Sequence, residues 1–190
     1  MKTPPQLICL IGAESTGKTT LAQVLAERFD SPWVPEYLRA FCDERGRTPR
    51  HDEQSMIIEV QTAQETRALR QATDQGAPFV FCDTAALLTA IYSEYVFADD
   101  SLITRGSKLH ERYALTLLLE ADIDWVPDEL QREGAHVRGP ITAMIQRHLN
   151  TIAAPYERVR GTGDARVASA IEGMQRHSHV SGSAVALRFS

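Results

Sequence analysis

Several features that mark whole classes of function are scarce in this sequence. Its 190 residues hold three cysteines, Cys9, Cys42 and Cys82, with no CxxC and no Cys/His spacing. The odd number speaks against a disulfide framework, and the spacing offers no zinc site. Cys9 and Cys82 fall inside apolar runs, so buried, reduced thiols in a cytoplasmic setting are expected. No apolar run approaches the ~20 residues that span a bilayer, so no membrane partner is expected. The opening Met1-Lys2-Thr3-Pro4-Pro5 and the short apolar run after it lack the flanks of a signal peptide. Positive charge is in deficit: 20 Lys and Arg against 25 Asp and Glu leave a net charge of −5. A nucleic-acid binder usually carries a basic face, so no nucleic-acid partner is expected either. The local cluster Arg45, Arg47, Arg50 and His51, set around Gly46 and Pro49, reads as a solvated loop or as a grip for an anionic substrate. Neither a repeat nor a low-complexity linker divides the chain. One domain is expected over residues 1–176, with a flexible Ser/Gly-rich tail over 177–190 that carries His177 and His179.

What is present is an alternation of apolar runs and helical periods. Leu7–Ile11 reads as a strand, followed by a glycine loop and a helix over Lys18–Phe29 with its apolar stripe on Leu21, Ala22, Val24 and Leu25. Trp33–Pro35 reads as a short second strand, and Asp52–Gln75 as a long, largely exposed helix capped by His51 or Asp52. Strands at Phe79–Cys82, Leu115–Leu119 and Tyr156–Val159 alternate with helices at Ala85–Phe97, Pro140–Ile152 and Asp164–Gln175. The charged stretch Asp122–Arg138, with a proline and glycine, reads as a mobile lid. This order implies an α/β fold: a parallel sheet flanked by helices, of the P-loop NTPase type, nucleoside- or nucleotide-kinase-like with a lid.

The phosphate loop carries the strongest signal. Gly12-Ala13-Glu14-Ser15-Thr16-Gly17-Lys18-Thr19 satisfies G-x-x-x-x-G-K-[ST] without a mismatch. A chain that wraps a polyphosphate must point successive N–H groups inward, which Gly12 and Gly17 permit. The helix that follows turns its positive end toward the anion. Lys18 is expected to reach the β and γ phosphates, and Thr19 to place its hydroxyl on magnesium, with Glu14, Ser15, Thr16 and Thr20 completing the ATP site.

Four further groups are candidates. Asp83 closes an apolar strand where P-loop proteins orient magnesium; the alternative is a helix N-cap, a role open to Thr84 as well. Thr84 stands where a motor-type ATPase carries the glutamate that activates water, and no N-K-x-D segment selects guanine. Glu36, after the second strand, is placed to take the proton of an attacking hydroxyl, with Arg39 holding substrate or phosphate oxygen. The alternative is a Glu36–Arg39 ion pair at helical spacing. Arg132 and Arg138 flank Gly134 and could bring positive charge to the transferring phosphoryl group, or could be solvated loop charges. Gly161-Thr162-Gly163-Asp164 is either a turn and cap or the backing of the adenine ring, through Thr162.

The loop Gly12–Thr20, then Glu36-Tyr37-x-Arg39, Asp83-Thr84 and Trp125-Val126-Pro127-Asp128 resemble the ribosylnicotinamide kinase domain of NadR-type proteins, over most of the chain to about Arg138. The resemblance implies a nucleoside-monophosphate-kinase-like fold and ATP-dependent phosphorylation of nicotinamide riboside to the mononucleotide, a step of NAD biosynthesis. It implies an acceptor site of Trp33, Glu36, Tyr37, Arg39, Trp125 and Asp128. Two positions depart from the pattern. The family's tryptophan directly before Glu-Tyr is Pro35 here, with Trp33 the nearest, and its Asp-Gly-Leu-Arg is Asp128-Glu129-Leu130-Gln131, with arginine displaced to Arg132. Longer relatives carry a DNA-binding region and an adenylyltransferase domain upstream; the chain opens at the first kinase strand, so repression and dinucleotide synthesis are not expected of it. The sequence therefore reads as an ATP- and magnesium-dependent kinase of a small nucleoside-like hydroxyl compound. A P-loop protein that uses nucleotide occupancy as a regulatory switch, or a kinase of another nucleoside, is the alternative.

Overall fold

The computed structural model describes residues 4–125 and 134–180, the last two by backbone alone. Five strands form one parallel sheet: β1 (Gln6–Ile11), β2 (Trp33–Val34), β3 (Phe79–Asp83), β4 (Leu115–Leu119) and β5 (Tyr156–Val159), in the order β2-β3-β1-β4-β5. The helices are α1 (Lys18–Arg28), α2 (Tyr37–Arg45), α3 (Gln54–Gln75), α4 (Ala86–Phe97), α5 (Ile103–His110), α6 (Arg138–Thr151) and α7 (Gly163–Val180).

Side-chain alternation splits the sheet into two apolar faces. Leu7, Cys9 and Ile11 of β1 join Val80, Cys82 and Leu118 in a core shared with Ala68 and Ala72 of α3, Leu87 and Ile91 of α4 and Ile141 and Ile145 of α6. Ile8 and Leu10 join Phe79, Phe81, Leu115 and Leu117 on the other face, against Leu21 and Leu25 of α1 and Ala170 and Met174 of α7. Both faces are covered, which is why the central strands read as continuous apolar runs rather than alternating ones. The three cysteines are buried and unbridged, and no helix among the described residues is long and apolar enough to cross a membrane.

Parallel pairing brings the carboxyl ends of β1, β3 and β4 to one edge, because Leu10 is level with Asp83 and Ile11 with Leu118. An arm of helices joins the sheet beside it: α2 and the start of α3 share the small cluster Phe41, Cys42 and Ile57, with Tyr37, Leu38 and Met56 packed on it.

Several expectations need correction. Helices α2 and α5 lie where no helix was read from the sequence. Helix α3 is preceded by a 3₁₀ turn at His51–Glu53, and it is this turn that is capped, with Glu53 Oε2 accepting the Arg50 N–H at 2.7 Å; α3 itself has no side-chain cap bond. One face of α3 is buried rather than exposed, with Gln61 and Glu65 included, since each has hydrogen-bond partners in the interior. Helix α7 continues through His177 to Val180, past the point where a tail was expected. The basic cluster is held by its neighbours. Arg47 bonds both oxygens of Glu53 at 2.7 and 2.8 Å, Arg45 and Arg47 lie over the Phe41 ring, and His51 Nε2 meets Asp99 Oδ2 at 2.7 Å.

Candidate active site

The chain leaves β1 at Ile11, turns through Gly12–Gly17 and enters α1 at Lys18. A Cβ on Gly12 would lie 2.9 Å from both the Leu119 carbonyl oxygen and Thr16 Oγ1, so only glycine lets the loop pass this close to the end of β4. Gly17 has φ 78° and is the N-cap of α1, with no side chain over the first turn. Thr16 Oγ1 donates to the Ala13 carbonyl at 2.9 Å, and Lys18 Nζ donates to the Gly12 and Ala13 carbonyls at 3.2 and 3.1 Å. The lysine is thus folded over the loop, 9% exposed, with its charge at the phosphate cradle. Glu14 is buried within the loop and its Oε1 accepts from the Tyr92 hydroxyl at 3.5 Å. Ser15 takes a left-handed conformation, φ 51°, and Thr20 is exposed on the first turn of α1.

Asp83 meets this loop from β3. Thr19 Oγ1 donates to Asp83 Oδ2 at 2.5 Å, joining the two residues expected to hold magnesium. Asp83 Oδ1 is buried and has no hydrogen-bond partner among the described residues. A buried carboxylate oxygen without a donor is costly, and a hard cation or its water would satisfy it, so the residues fit a magnesium site. The capping alternative fails. The N-cap of α4 is Ala85, with no side-chain cap bond, and Asp83 is engaged by Thr19 instead. Between them Thr84 is held at φ 80°, its N–H donating to the Leu10 carbonyl at 2.9 Å. A β-branched residue in that region carries strain of roughly 1–3 kcal/mol, a feature that clusters at functional sites.

Glu36 ends the loop after β2 and is the N-cap of α2. It is half-buried, and burial raises its pKa above the 4.5 of a free glutamate; Lys18 opposes this, Asp83 and Glu14 add to it, and Arg39 opposes it. The four charges that act on Glu36 are therefore those of the phosphate loop, the β3 aspartate and α2. The Tyr37 N–H donates to Gln61 Oε1 at 2.9 Å, which fixes the start of α2 on α3. The Tyr37 hydroxyl donates to Met56 Sδ at 3.9 Å, so its ring belongs to the arm's packing.

Arg138 opens α6 and is 9% exposed. Its Nη1 donates to the Ile123 carbonyl at 3.0 Å, while Nε and Nη2 are buried with no partner among the described residues. Ile123 Cδ1 lies 3.7 Å from where a Cβ on Gly17 would be, so the segment bonded to Arg138 runs beside the phosphate loop. Two buried guanidinium donors there suit a phosphate oxygen.

Trp33 is not brought to this edge. It packs on the α1 face of the sheet and lines a cavity of about 530 Å³ with Gln23, Glu27, Gln71 and Gln75, at the ends of α1 and α3 away from the phosphate loop. Pairing with Phe81 fixes its face, and Pro35 is exposed. Trp125 is half-buried, with its indole N–H buried and unpartnered among the described residues. Thr162 is exposed, and its carbonyl accepts the Ala165 N–H at 3.1 Å in the turn that starts α7. Asp128 and Arg132 lie outside the described residues.

One residue here has no sequence signal. Arg166 of α7 is 5% exposed and donates to the carbonyls of Thr16 and Gly161, both at 2.6 Å, to that of Glu120 at 3.3 Å, and to Asp122 Oδ1. Its partners at Thr16 and Glu120 are far away in the chain, so no local spacing could have marked it.

A parallel sheet in the order β2-β3-β1-β4-β5 with a phosphate loop after β1 defines a P-loop fold of the nucleoside- and nucleotide-kinase kind. Residues 7–166 match the AAA_28 model, described as an AAA domain, and the chain belongs to that family. Among solved structures it is similar to a NadR protein in complex with NR, with a TM-score of 0.78 and 22% identity over 94% of this chain and 53% of that one. It is also similar to thymidylate kinase from Ehrlichia chaffeensis, with a TM-score of 0.66 and 15% identity over 91% of this chain and 100% of that one. Deoxyadenosine kinase from M. mycoides has a TM-score of 0.58 and 12% identity, over 90% and 99% of the two chains. The chain spans about half the length of the NadR protein. No curated protein matches it.

Proposed function

We propose that the chain transfers the γ-phosphoryl group of ATP, with magnesium, to the hydroxyl of a small nucleoside-like acceptor, nicotinamide riboside being the leading candidate. The reading rests chiefly on one observation: Thr19 of the phosphate loop donates to Asp83 Oδ2 at 2.5 Å, beside the Lys18 ammonium folded over the same loop; burial raises the pKa of Glu36, on which Lys18 and Asp83 both act. A carboxylate whose pKa moves toward neutrality is a better proton acceptor for a hydroxyl group than an ordinary one. The NadR protein was crystallised with NR, which supports the choice of acceptor.

The roles we propose are these. Lys18 and the N–H groups of the loop bind the β and γ phosphates, and Thr19 and Asp83 hold magnesium. Magnesium, when bound, neutralises charge on the phosphate oxygens. Glu36 takes the acceptor's proton as the new oxygen–phosphorus bond forms and the bond to the β-phosphate oxygen breaks, with ADP as the leaving group. The Arg138 guanidinium takes charge from the equatorial oxygens through Nε and Nη2, a role proposed for Arg132 as well. Arg39, Trp125 and Asp128 are assigned to the acceptor and Thr162 to the adenine side.

Another nucleoside is the second acceptor class. Its support is the position of Trp33, turned to the α1 face, and of Pro35 in place of a stacking tryptophan. The test of the site is kcat for Glu36→Gln against Arg39→Gln at saturating ATP and acceptor. Loss of a general base costs on the order of 10²–10⁴-fold, and loss of an exposed ion pair about 0–1 kcal/mol. A Glu36→Gln kcat within a few-fold of the parent removes Glu36 as the base.

A further inference from the structure

The guanidinium of Arg166 lies behind the phosphate loop and joins three strand ends. Its Nη1 donates to the Thr16 carbonyl after β1 at 2.6 Å, its Nε to the Gly161 carbonyl after β5 at 2.6 Å, and its Nη2 to the Glu120 carbonyl after β4 at 3.3 Å. Nη2 also donates to Asp122 Oδ1, and Asp122 Oδ2 accepts the Gly161 N–H at 2.8 Å. The charge is thus balanced by one carboxylate, and the donors of a rigid fork are shared among four acceptors.

The bond to Thr16 bears directly on the phosphate loop. A trans peptide is planar, so the carbonyl of Thr16 and the N–H of Gly17 point in opposite directions. Holding that carbonyl toward α7 turns the Gly17 N–H the other way, toward the cradle. A cation on the carbonyl also polarises the peptide and strengthens the N–H as a donor. Gly17, at φ 78°, has no side chain to restrain that peptide plane, although its own carbonyl accepts the Leu21 N–H at 3.0 Å.

We infer that Arg166 is a positioning residue for nucleotide binding: with Asp122 it locks the Thr16–Gly17 peptide in its phosphate-binding orientation and ties it to the turn at Gly161 proposed for the adenine side. This rests on the P-loop nucleotide reading but not on the identity of the acceptor. Lysine cannot replace it, since a point charge cannot reach Thr16, Gly161 and Asp122 together.

The test is ATP affinity by calorimetry on the full chain, for the parent, Arg166→Ala, Arg166→Lys and Asp122→Asn, with thermal melting of each. Arg166→Ala is expected to weaken ATP binding about ten- to a hundredfold, as for loss of a charged hydrogen bond. Added guanidinium at low millimolar concentration is expected to restore part of the affinity to Arg166→Ala and none to Arg166→Lys, a response that general loss of packing would not give. Asp122→Asn, which keeps the shape and one acceptor oxygen, is expected to weaken binding by a few-fold. A folded Arg166→Ala with parent-like affinity overturns the inference. If Arg166→Ala does not fold, parent-like affinity in Asp122→Asn overturns it. A parent that binds no ATP removes the P-loop reading itself, an outcome distinct from both.

Discussion

Replacing Gly12 by alanine tests the phosphate cradle with a single methyl group. The added carbon would lie 2.9 Å from the Leu119 carbonyl oxygen, 2.9 Å from Thr16 Oγ1 and 3.3 Å from Leu119 Cβ. Carbon–oxygen contacts settle at about 3.3–3.6 Å, so roughly half an ångström must be found. β4 cannot easily supply it. Leu119 is paired with Val159, and the Glu120 N–H donates to the Val159 carbonyl at 3.0 Å. The loop must move instead, and Thr16 must rotate away from the Ala13 carbonyl that it now meets at 2.9 Å. Overpacking of this kind costs about 1–3 kcal/mol, which, if it falls on the bound loop, is roughly five- to 150-fold in ATP affinity. Gly139 is the control: among the described residues nothing lies within 4 Å of a Cβ there, and it is the second residue of α6. Gly139→Ala is expected to be neutral, or stabilising by up to about 1 kcal/mol through helix propensity. Calorimetric ATP affinity and melting temperature of both variants decide the matter. A Gly12→Ala protein that binds ATP as the parent does would refute the claim that this close approach shapes the cradle.

Three further outcomes are expected. Lys18→Ala should remove most turnover while melting near the parent temperature, since the side chain's visible bonds are two loop carbonyls; near-normal turnover in a folded variant would sink the P-loop assignment. Asp83→Asn should shift the magnesium dependence of activity more than it shifts metal-free nucleotide binding, read from paired titrations; an unchanged magnesium curve with a lower melting temperature would make Asp83 purely structural. His110 is buried against Thr116 Oγ1 at 2.8 Å, and burial lowers its pKa from 6.5 to about 4. The folded state therefore binds fewer protons than the unfolded one, so stability is full above pH 6.5 and is lost as pH falls toward about 4, by up to about 3 kcal/mol. Urea unfolding of the parent and His110→Gln at pH 7 and pH 4.5 should show the gap between them shrinking in acid.

The central strands of the sheet were legible because burial on two faces leaves a largely apolar run, as in Phe79–Cys82 and Leu115–Leu119. Helix α1 was legible from its apolar stripe, and α3 from apolar residues spaced along a long polar segment. Helix α2 is only nine residues long, and its stop signal, Gly46 at φ 64°, was taken for part of a loop. Helix α5 carries Gly106 in its middle, which lowers helix propensity. That glycine is where α4 and α5 cross, since a Cβ would come within 3.0 Å of Ala90 Cβ. In the site, the phosphate loop and Asp83 could be read from spacing and strand ends, because both follow the chain direction. The face taken by Trp33 is decided by its pairing with Phe81, and the bonds of Arg166 by the folded topology; neither has a local sequence signature.

The central claim is phosphoryl transfer to a nucleoside-like hydroxyl, and product mass measures it most directly. The chain is incubated with ATP, magnesium and, one at a time, nicotinamide riboside and a panel of other nucleosides, and the products are weighed. The account predicts a product heavier than its acceptor by one phosphoryl group, formed one for one with ADP and only where an acceptor is present, with nicotinamide riboside turned over fastest. ADP release at the same rate with and without every acceptor, and no phosphorylated product, would contradict it and leave a nucleotide-dependent switch as the better account.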